Sequence, residues 1–170
     1  MAELFLRILF IITPMYFANA SALFFGGKRR IDFGKNFYDN KPILGKGKTF
    51  EGTIGGILTG IASTILVQLI FWDQTALVSQ QYFLLGVLLT VGAIVGDVAA
   101  SFIKRRIGKE QGASIPFLDQ LDFIAGGLVF AIPLFIPKIE ELAIILLLTL
   151  VAHALTNRLA FMLKLKKVPW

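Results

Sequence analysis

The chain has 170 residues, enough for one domain, and its composition is 56% hydrophobic with only 16% charged residues. The apolar residues come in long runs and the mean hydropathy is +0.75, which excludes an ordinary soluble domain and indicates membrane spans. The net charge of +6 comes from bases clustered between apolar runs, so we expect no nucleic-acid partner, and the lack of cysteine excludes disulfides and thiolate sites.

Five apolar segments are predicted to be transmembrane helices. Each has about 20 residues or more, so at ~1.5 Å per residue each can cross a hydrocarbon layer of ~30 Å. The segments should be helices because an open strand edge is not stable in lipid. We therefore predict an all-α integral membrane protein, with one polytopic domain over 1–170. The predicted helices are 4–25, 53–72, 82–103, 117–136 and 141–162, and the loops 26–52 and 104–116 join them on one side.

The distribution of basic residues predicts the orientation of these helices. Fifteen of the 17 fall in the two loops and in the tail from Arg158, whereas only Arg7 and Lys138 lie on the opposite side. The positive-inside rule therefore places the loops and the C-terminus in the cytoplasm and the N-terminus outside the cell membrane. A signal peptide is the alternative for the first segment, because Ala-Asn-Ala follows 8–17. Its cleavage would export the most basic loop, against the charge rule.

The first helix and the loop after it carry candidate ligand-binding residues. Asn19 either contacts a polar ligand or bonds another helix. The stretch 45–52 reads Gly-Lys-Gly-Lys-Thr-Phe-Glu-Gly, which can present backbone N–H groups and cations to phosphate at a helix entry. It is not the P-loop pattern, and a flexible basic loop with Thr49 as a helix cap is an equally good interpretation. Glycines at 52, 56 and 60 predict close helix packing.

The third helix contains a deeply placed carboxylate. Asp97 lies seven residues, or ~10 Å, inward of Lys104. A charge at that depth costs up to ~2.5–3.5 kcal/mol, so it should face a partner or a water-filled cavity. Because positions 97, 101, 104 and 105 share a helix face, we predict a polar stripe of Asp97, Ser101, Lys104 and Arg105. An internal Asp–Lys pair is the alternative.

Two further acids begin the fourth helix. Asp119 and Asp122 are spaced i,i+3 and are therefore neighbours on one face. One of them could act only as a helix cap. Two acids on one face, at the same membrane depth as Asp97, instead predict oxygen ligands for Mg²⁺.

Taken together, these residues resemble the membrane CTP-transferase family, which includes bacterial phosphatidate cytidylyltransferase. The matching motifs are Gly96-Asp97, Ser101-Phe-Ile-Lys104-Arg105, Asp119-Gln-Leu-Asp122 and Lys48-Thr49-Phe50-Glu51-Gly52. The bacterial form has His-Gly-Gly before the acids and Arg between them, where this chain has Ser114-Ile115-Pro116 and Gln120. Those departures, with the stretches 31–34, 43–45 and 118–122, resemble the archaeal branch, the CDP-archaeol synthases.

The resemblance implies an activity and a set of site residues. CMP would be transferred from CTP to the phosphate of an isoprenoid ether lipid, 2,3-di-O-geranylgeranylglycerol 1-phosphate, at the bilayer. The implied catalytic residues are Asp97, Asp119, Asp122 and Lys104, with the three acids as ligands of a Mg²⁺ cofactor. The implied substrate-binding residues are Lys48, Thr49, Glu51, Gly52, Ser101, Arg105, Arg106, Asp32 and Asn19.

Two alternatives to this activity stay open at the level of sequence. One is a phosphatidate cytidylyltransferase that uses a diacyl lipid. The other is a small non-enzymatic transporter in which Asp97 binds a coupling ion, although such folds often show repeats and broken helices in matching halves, which are missing here. The sequence also leaves open whether two chains pair as a homodimer.

Overall fold

The structure, a computed structural model, describes residues 2–111, 113 and 115–162, with only the helical backbone at 157, 159 and 160. These residues form helices and connecting loops. They include two isolated β-bridges and no β-strand beyond those bridges. By length and hydropathy, four of the described helices can cross a membrane, namely α1, α2, α4 and, over Ile139–Thr156, α6. The prediction of a helical, multi-pass membrane protein is confirmed to that extent. The helices are α1 Ala2–Phe24, α2 Phe50–Ile70, α3 Trp72–Thr75, α4 Tyr82–Arg106, α5 Leu118–Ala131 and α6 Ile139–Met162.

The predicted span 117–136 is wrong in length. α5 has 14 residues, which at ~1.5 Å per residue is too short to cross ~30 Å of hydrocarbon as a helix. Pro133 explains the early end, because proline has no N–H to donate and its ring clashes with the carbonyl four residues before it. The chain then turns, and the amides of Leu134 and Phe135 both donate to the Ala131 carbonyl at 2.9 Å.

The other helices differ from prediction at their ends. α2 begins three residues earlier because Thr49 caps it, accepting a hydrogen bond from the Gly52 amide at 3.2 Å. α4 runs on to Arg106, and the basic residues of its last turn suit the negative end of the helix dipole. α6 begins at Ile139 rather than at 141, and the short α3 was not predicted.

The predicted glycine packing of α2 is confirmed. A Cβ atom on Gly52 would lie 2.5 Å from the Ala22 carbonyl oxygen, and one on Gly56 would lie 2.7 Å from that of Ala18. Such distances leave no room for a side chain, so the backbones of α1 and α2 are in direct contact. A Cβ atom on Gly96 of α4 would likewise be too close to the Asp122 carbonyl oxygen of α5, so these two helices are also in direct backbone contact.

The two ends of the bundle differ in character. One end carries the segments 25–49 and 107–117, and we call it the loop face. The opposite end, the far face, carries 71–81 and 132–138. There Arg7 Nε donates to Glu141 Oε1 at 2.5 Å and a second guanidinium nitrogen donates to the Leu77 carbonyl, while the Tyr82 hydroxyl donates to the Phe10 carbonyl at 2.8 Å. These contacts close the far face around a buried apolar core that includes Ile11, Met15, Leu85, Leu89, Phe123, Ile124 and Ile145.

Candidate active site

Two lysine–aspartate pairs stand at the loop face. Lys48 Nζ lies 2.6 Å from both carboxylate oxygens of Asp97, which joins the segment 25–49 to α4. Lys104 Nζ lies 2.8 Å from Asp119 Oδ1, which joins α4 to α5. Asp97 therefore has an internal lysine partner, as the alternative interpretation proposed, but that partner comes from the preceding loop rather than from its own helix. Both pairs are mostly shielded from solvent.

The third acid is near the other two. Asp122 lies one turn beyond Asp119 on α5, and its Oδ1 accepts a hydrogen bond from the Phe123 amide at 2.6 Å. Its carboxylate interacts electrostatically with Asp97, Lys48 and Asp119. The close approach of α4 and α5 at Gly96 brings the three acids into one environment. The glycine is thus part of the architecture of the site.

The three carboxylates fit Mg²⁺ by the chemistry of their oxygens, which are ligands that this ion prefers. Asp119 Oδ1 is buried and, within the described residues, has no hydrogen-bond partner despite the nearby ammonium group. Over that same part of the chain, no three acids or histidines are grouped tightly enough to hold one ion. In this structure Lys48 and Lys104 compensate the charge that a metal would compensate. A bound ion would have to replace them.

Arg105 is the strongest candidate for an anion-binding residue. It is 5% exposed, and Nε and Nη1 of its guanidinium are buried without a hydrogen-bond partner in the described residues. A buried charge without partners is costly, so the group is suited to a ligand that supplies acceptor oxygens. Ser101 is also buried and lies one turn before it on α4. With Asp97 and Lys104, these residues form the predicted polar stripe.

Arg106, in contrast, fixes the loop to α4. Its guanidinium carbon lies 4.8 Å from the ring centroids of both Phe37 and Phe102. Nη1 lies 3.0 Å from Asp39 Oδ1, and Nη2 donates to the Pro42 carbonyl at 2.5 Å. The substrate contact predicted for Arg106 stays a prediction. The contacts of Phe37 and Asp39 with Arg106 were not predicted, because no helical or strand spacing relates a loop to a helix end more than 60 residues later. Phe102 was also not predicted, although it lies one turn before Arg106 on α4 and the i,i+4 spacing could have indicated this contact.

Asp32 organises the same loop from within. Its Oδ1 accepts a hydrogen bond from the Gly34 amide at 2.9 Å, and its Oδ2 accepts from the amides of Leu44 and Gly45 at 3.0 and 3.1 Å. Burial by itself would raise the pKa of Asp32, but these bonds and the charge of Arg30 outweigh it and hold that pKa below its ordinary value. The carboxylate of Asp32 is thus engaged by the backbone, and its predicted substrate contact is untested.

In the hydrogen bonds and ion pairs of the described residues, the remaining predicted residues are not bonded to the three acids. Thr49 Oγ1 accepts hydrogen bonds from the Gly52 amide, which caps α2, and from the Gly27 amide, and Gly52 packs against α1. Glu51 Oε1 accepts a hydrogen bond from Arg29 Nε at 2.8 Å. Asn19 is half-buried on α1.

The chain is similar to known proteins over nearly its whole length. A family model described as CarS-like, CDP-archaeol synthase, matches residues 1–170. The chain is 42% identical over 178 aligned positions to a CDP-archaeol synthase of Methanocaldococcus jannaschii, covering 98% of this chain and 100% of the relative. It is 43% identical to one from Methanopyrus kandleri, covering 95% and 91%. A solved structure described as an intramembrane enzyme for archaeal membrane lipid biosynthesis superposes with a TM-score of 0.80 at 32% identity, covering 88% of this chain and 91% of the other.

Proposed function

The chain belongs to the CDP-archaeol synthase family, and on that premise we propose that it transfers CMP from CTP to 2,3-di-O-geranylgeranylglycerol 1-phosphate, giving CDP-archaeol and pyrophosphate. The observation that supports this most directly is the meeting of three acids with Lys48 and Lys104 at one end of a membrane bundle, where the next residue, Arg105, has a buried guanidinium without a partner in the described residues. The diacyl-lipid and transporter alternatives are not favoured, because relatives matched over nearly the whole chain carry the archaeal name.

The chemistry requires little from a general base. An oxygen of the lipid phosphate attacks the α-phosphorus of CTP, a new P–O bond forms, and the bond to the β-phosphate breaks to release pyrophosphate. A phosphate monoester has a second pKa of ~6, so the attacking group is largely ionised at neutral pH. The enzyme must instead bring two polyanions together in line and neutralise the charge that develops.

The described residues supply the groups for this task. Lys48 and Lys104, which pair with Asp97 and Asp119 in this structure, would bind phosphate oxygens in the complex, and Arg105 would bind them through its planar fork. Asp97, Asp119 and Asp122 would hold Mg²⁺, which as a Lewis acid neutralises phosphate charge when bound. Lys48 and Lys104 compensate the charge of Asp97 and Asp119 in this structure, and a bound Mg²⁺ would compensate it in the complex.

We place the loop face in the cytoplasm of the cell, with the N-terminus outside. The support is the concentration of basic residues on that face. A soluble nucleotide would then enter from the cytoplasm, while the tails of the acceptor lipid stay in the bilayer.

Substitution of the α5 acids tests the site. We expect Asp119→Asn and Asp122→Asn to lose CMP transfer by roughly 10²-fold or more, because each removes charge that positions the phosphates. Transfer is measured with radiolabelled CTP and 2,3-di-O-geranylgeranylglycerol 1-phosphate on purified protein. Asp73→Asn, an exposed acid of α3 at the far face, is the matched control and should keep wild-type activity. Near-wild-type transfer by either α5 variant would contradict the assignment.

Metal dependence is tested separately. We expect EDTA to abolish transfer and added Mg²⁺ to restore it, with Asp122→Asn needing a higher Mg²⁺ concentration for any residual activity. Binding of Mn²⁺ followed by electron paramagnetic resonance gives a readout independent of turnover. Full activity in EDTA would exclude the metal.

The acceptor lipid is tested with a panel that contains the geranylgeranyl ether lipid phosphate and a diacyl phosphatidate. We expect transfer to the ether lipid phosphate in preference to the diacyl lipid. Equal transfer to both would leave the archaeal assignment of the acceptor without support.

A further inference from the structure

A basic pocket opens on the loop face beside the ends of α1 and α2. Its volume is about 610 Å³, and none of the three acids, Lys48, Lys104 or Arg105 lines it. Two acids among the described residues are bonded to lining residues: Glu51 pairs with Arg29, and Asp32 accepts a hydrogen bond from the Gly34 amide. Three cations line the pocket, so with both acids included its formal charge is about +1. The lining residues are Lys28, Arg29, Arg30, Phe33, Gly34 and Phe50.

An apolar groove lies on α2, and one of its lining residues, Glu51, is hydrogen-bonded to Arg29 of the basic pocket. Its volume is about 350 Å³, and it follows one face of α2 next to the end of α1. Ile54 and Leu58 are 55% and 63% exposed there, so the groove faces the surroundings of the bundle, which for a membrane helix are lipid. The hydrogen bond of Glu51 with Arg29 links the two cavities. The groove is lined by Phe25, Glu51, Ile54, Gly55, Leu58 and Thr59.

The pairing of these cavities matches an amphiphile with an anionic head. A phosphate monoester carries a charge of about −1.5 to −2 and three acceptor oxygens at neutral pH. It therefore suits Lys28 and Arg30, the two lining cations that no acid binds in the hydrogen bonds and ion pairs of the described residues. A nucleobase is a poorer fit, since it has no charge for the cations to neutralise. The rings of Phe33 and Phe50 are also inclined at 53° and form no parallel slot for stacking.

We propose that the basic pocket and the apolar groove form an entry site for the acceptor lipid, which rests on the proposed function. The cations of the pocket bind the lipid's phosphate monoester, and a hydrocarbon tail lies along α2.

The backbone that carries the cations of the pocket is hydrogen-bonded to the segment that carries Lys48, the partner of Asp97. The Ile31 amide donates to the Lys48 carbonyl at 3.0 Å, and the Phe50 amide donates to the Arg29 carbonyl at 2.9 Å. One short ribbon thus carries the cations of the pocket and the lysine that pairs with Asp97.

The proposal is tested by lipid binding without turnover. Binding of tritiated 2,3-di-O-geranylgeranylglycerol 1-phosphate to the purified full chain is measured in EDTA without CTP. We expect Lys28→Gln/Arg30→Gln to weaken binding at least tenfold. Lys35→Gln/Lys138→Gln removes the same charge outside both cavities and should bind as wild type. Unchanged binding by Lys28→Gln/Arg30→Gln, or loss of CTP binding instead of lipid binding, would overturn the proposal.

A second variant tests the groove. We expect Leu58→Trp to weaken binding of the lipid phosphate several-fold, and inorganic phosphate to bind wild type at least tenfold more weakly than the lipid does. Equal affinity for the two probes would show that the groove holds no tail and would overturn the lipid assignment.

The binding assay also separates this proposal from the proposed function. Asp122→Asn, which the proposed function expects to be inactive, should bind the lipid as wild type does. Wild-type protein that binds the lipid but transfers no CMP would contradict the function and not the pocket. Wild-type protein that transfers CMP, with lipid binding unaffected by Lys28→Gln/Arg30→Gln, would contradict the pocket and not the function.

Discussion

Single residues of the loop 25–49 fix its shape through backbone amides. Asp32 alone accepts three of them, from Gly34, Leu44 and Gly45. A side chain that satisfies several buried amides cannot be replaced by one with fewer acceptors without leaving a donor unpaired. The shape of the loop around 32–45 therefore depends strongly on the Asp32 carboxylate.

We expect Asp32→Asn to destabilise the loop by ~1–3 kcal/mol, because one amide loses its acceptor. Hydrogen exchange of the amides at 34, 44 and 45 should accelerate accordingly, and Asp73→Asn should leave it unchanged. In wild type the pKa of Asp32 is lowered by folding, so its contribution is complete above the ordinary Asp pKa of ~3.9 and is lost as the pH falls through the lowered value. Exchange rates that do not differ between wild type and Asp32→Asn would exclude this role.

Arg106 offers a test of how the loop is held to α4. Arg106→Lys keeps the charge but loses the planar fork and the two ring contacts, each worth ~0.5–1 kcal/mol. We expect faster hydrogen exchange over 37–42 and a higher KM for CTP with a smaller change in kcat, because the loop positions Lys48. Arg158→Lys is the matched control. A loss confined to kcat would instead point to direct contact of Arg106 with the reacting groups.

At the scale of helices, the contact of α4 with α5 carries the site. A Cβ atom at Gly96 would overlap the Asp122 carbonyl, so Gly96→Ala must push the two helices apart beside the acids. We expect a loss of ~1–3 kcal/mol in stability, typical of overpacking, together with loss of CMP transfer. Thermal unfolding in detergent measures the first effect. Gly47→Ala, where a Cβ atom meets nothing within 4 Å, should leave the unfolding temperature unchanged, and a Gly96→Ala protein with wild-type stability and activity would contradict the role.

The sequence predicted the long helices better than the short one, for a physical reason. α1, α2, α4 and α6 are 21 to 25 residues long and mostly apolar, and such runs have few stable structures in lipid besides a helix. The segment after Ala131 is equally apolar, so hydropathy alone extended α5 through it, although Pro133 was already a signal of its end. The polar stripe of α4 followed from helix spacing. The partner of Asp97 did not, because Lys48 lies in an irregular loop whose path depends on Asp32 and Arg106.

At the scale of the whole molecule, the sidedness of the bundle can be tested by cysteine labelling, because the chain has no cysteine of its own. Tyr38 on the loop face is 96% exposed, and Gln74 on the far face is also exposed. In intact cells, we expect a membrane-impermeant maleimide to label Gln74→Cys and to label Tyr38→Cys only after the membrane is opened. The reverse pattern would overturn the proposed orientation.

The packing of the far face bears on the side from which CTP enters and pyrophosphate leaves. Phe10, Tyr82 and the Arg7–Glu141 pair fill the bundle at that end, so we expect ligands to reach the acids only from the loop face. Pyrophosphate should then leave from the same face at which CTP enters. It should accordingly act as a competitive product inhibitor toward CTP, because it must dissociate before the next CTP can bind.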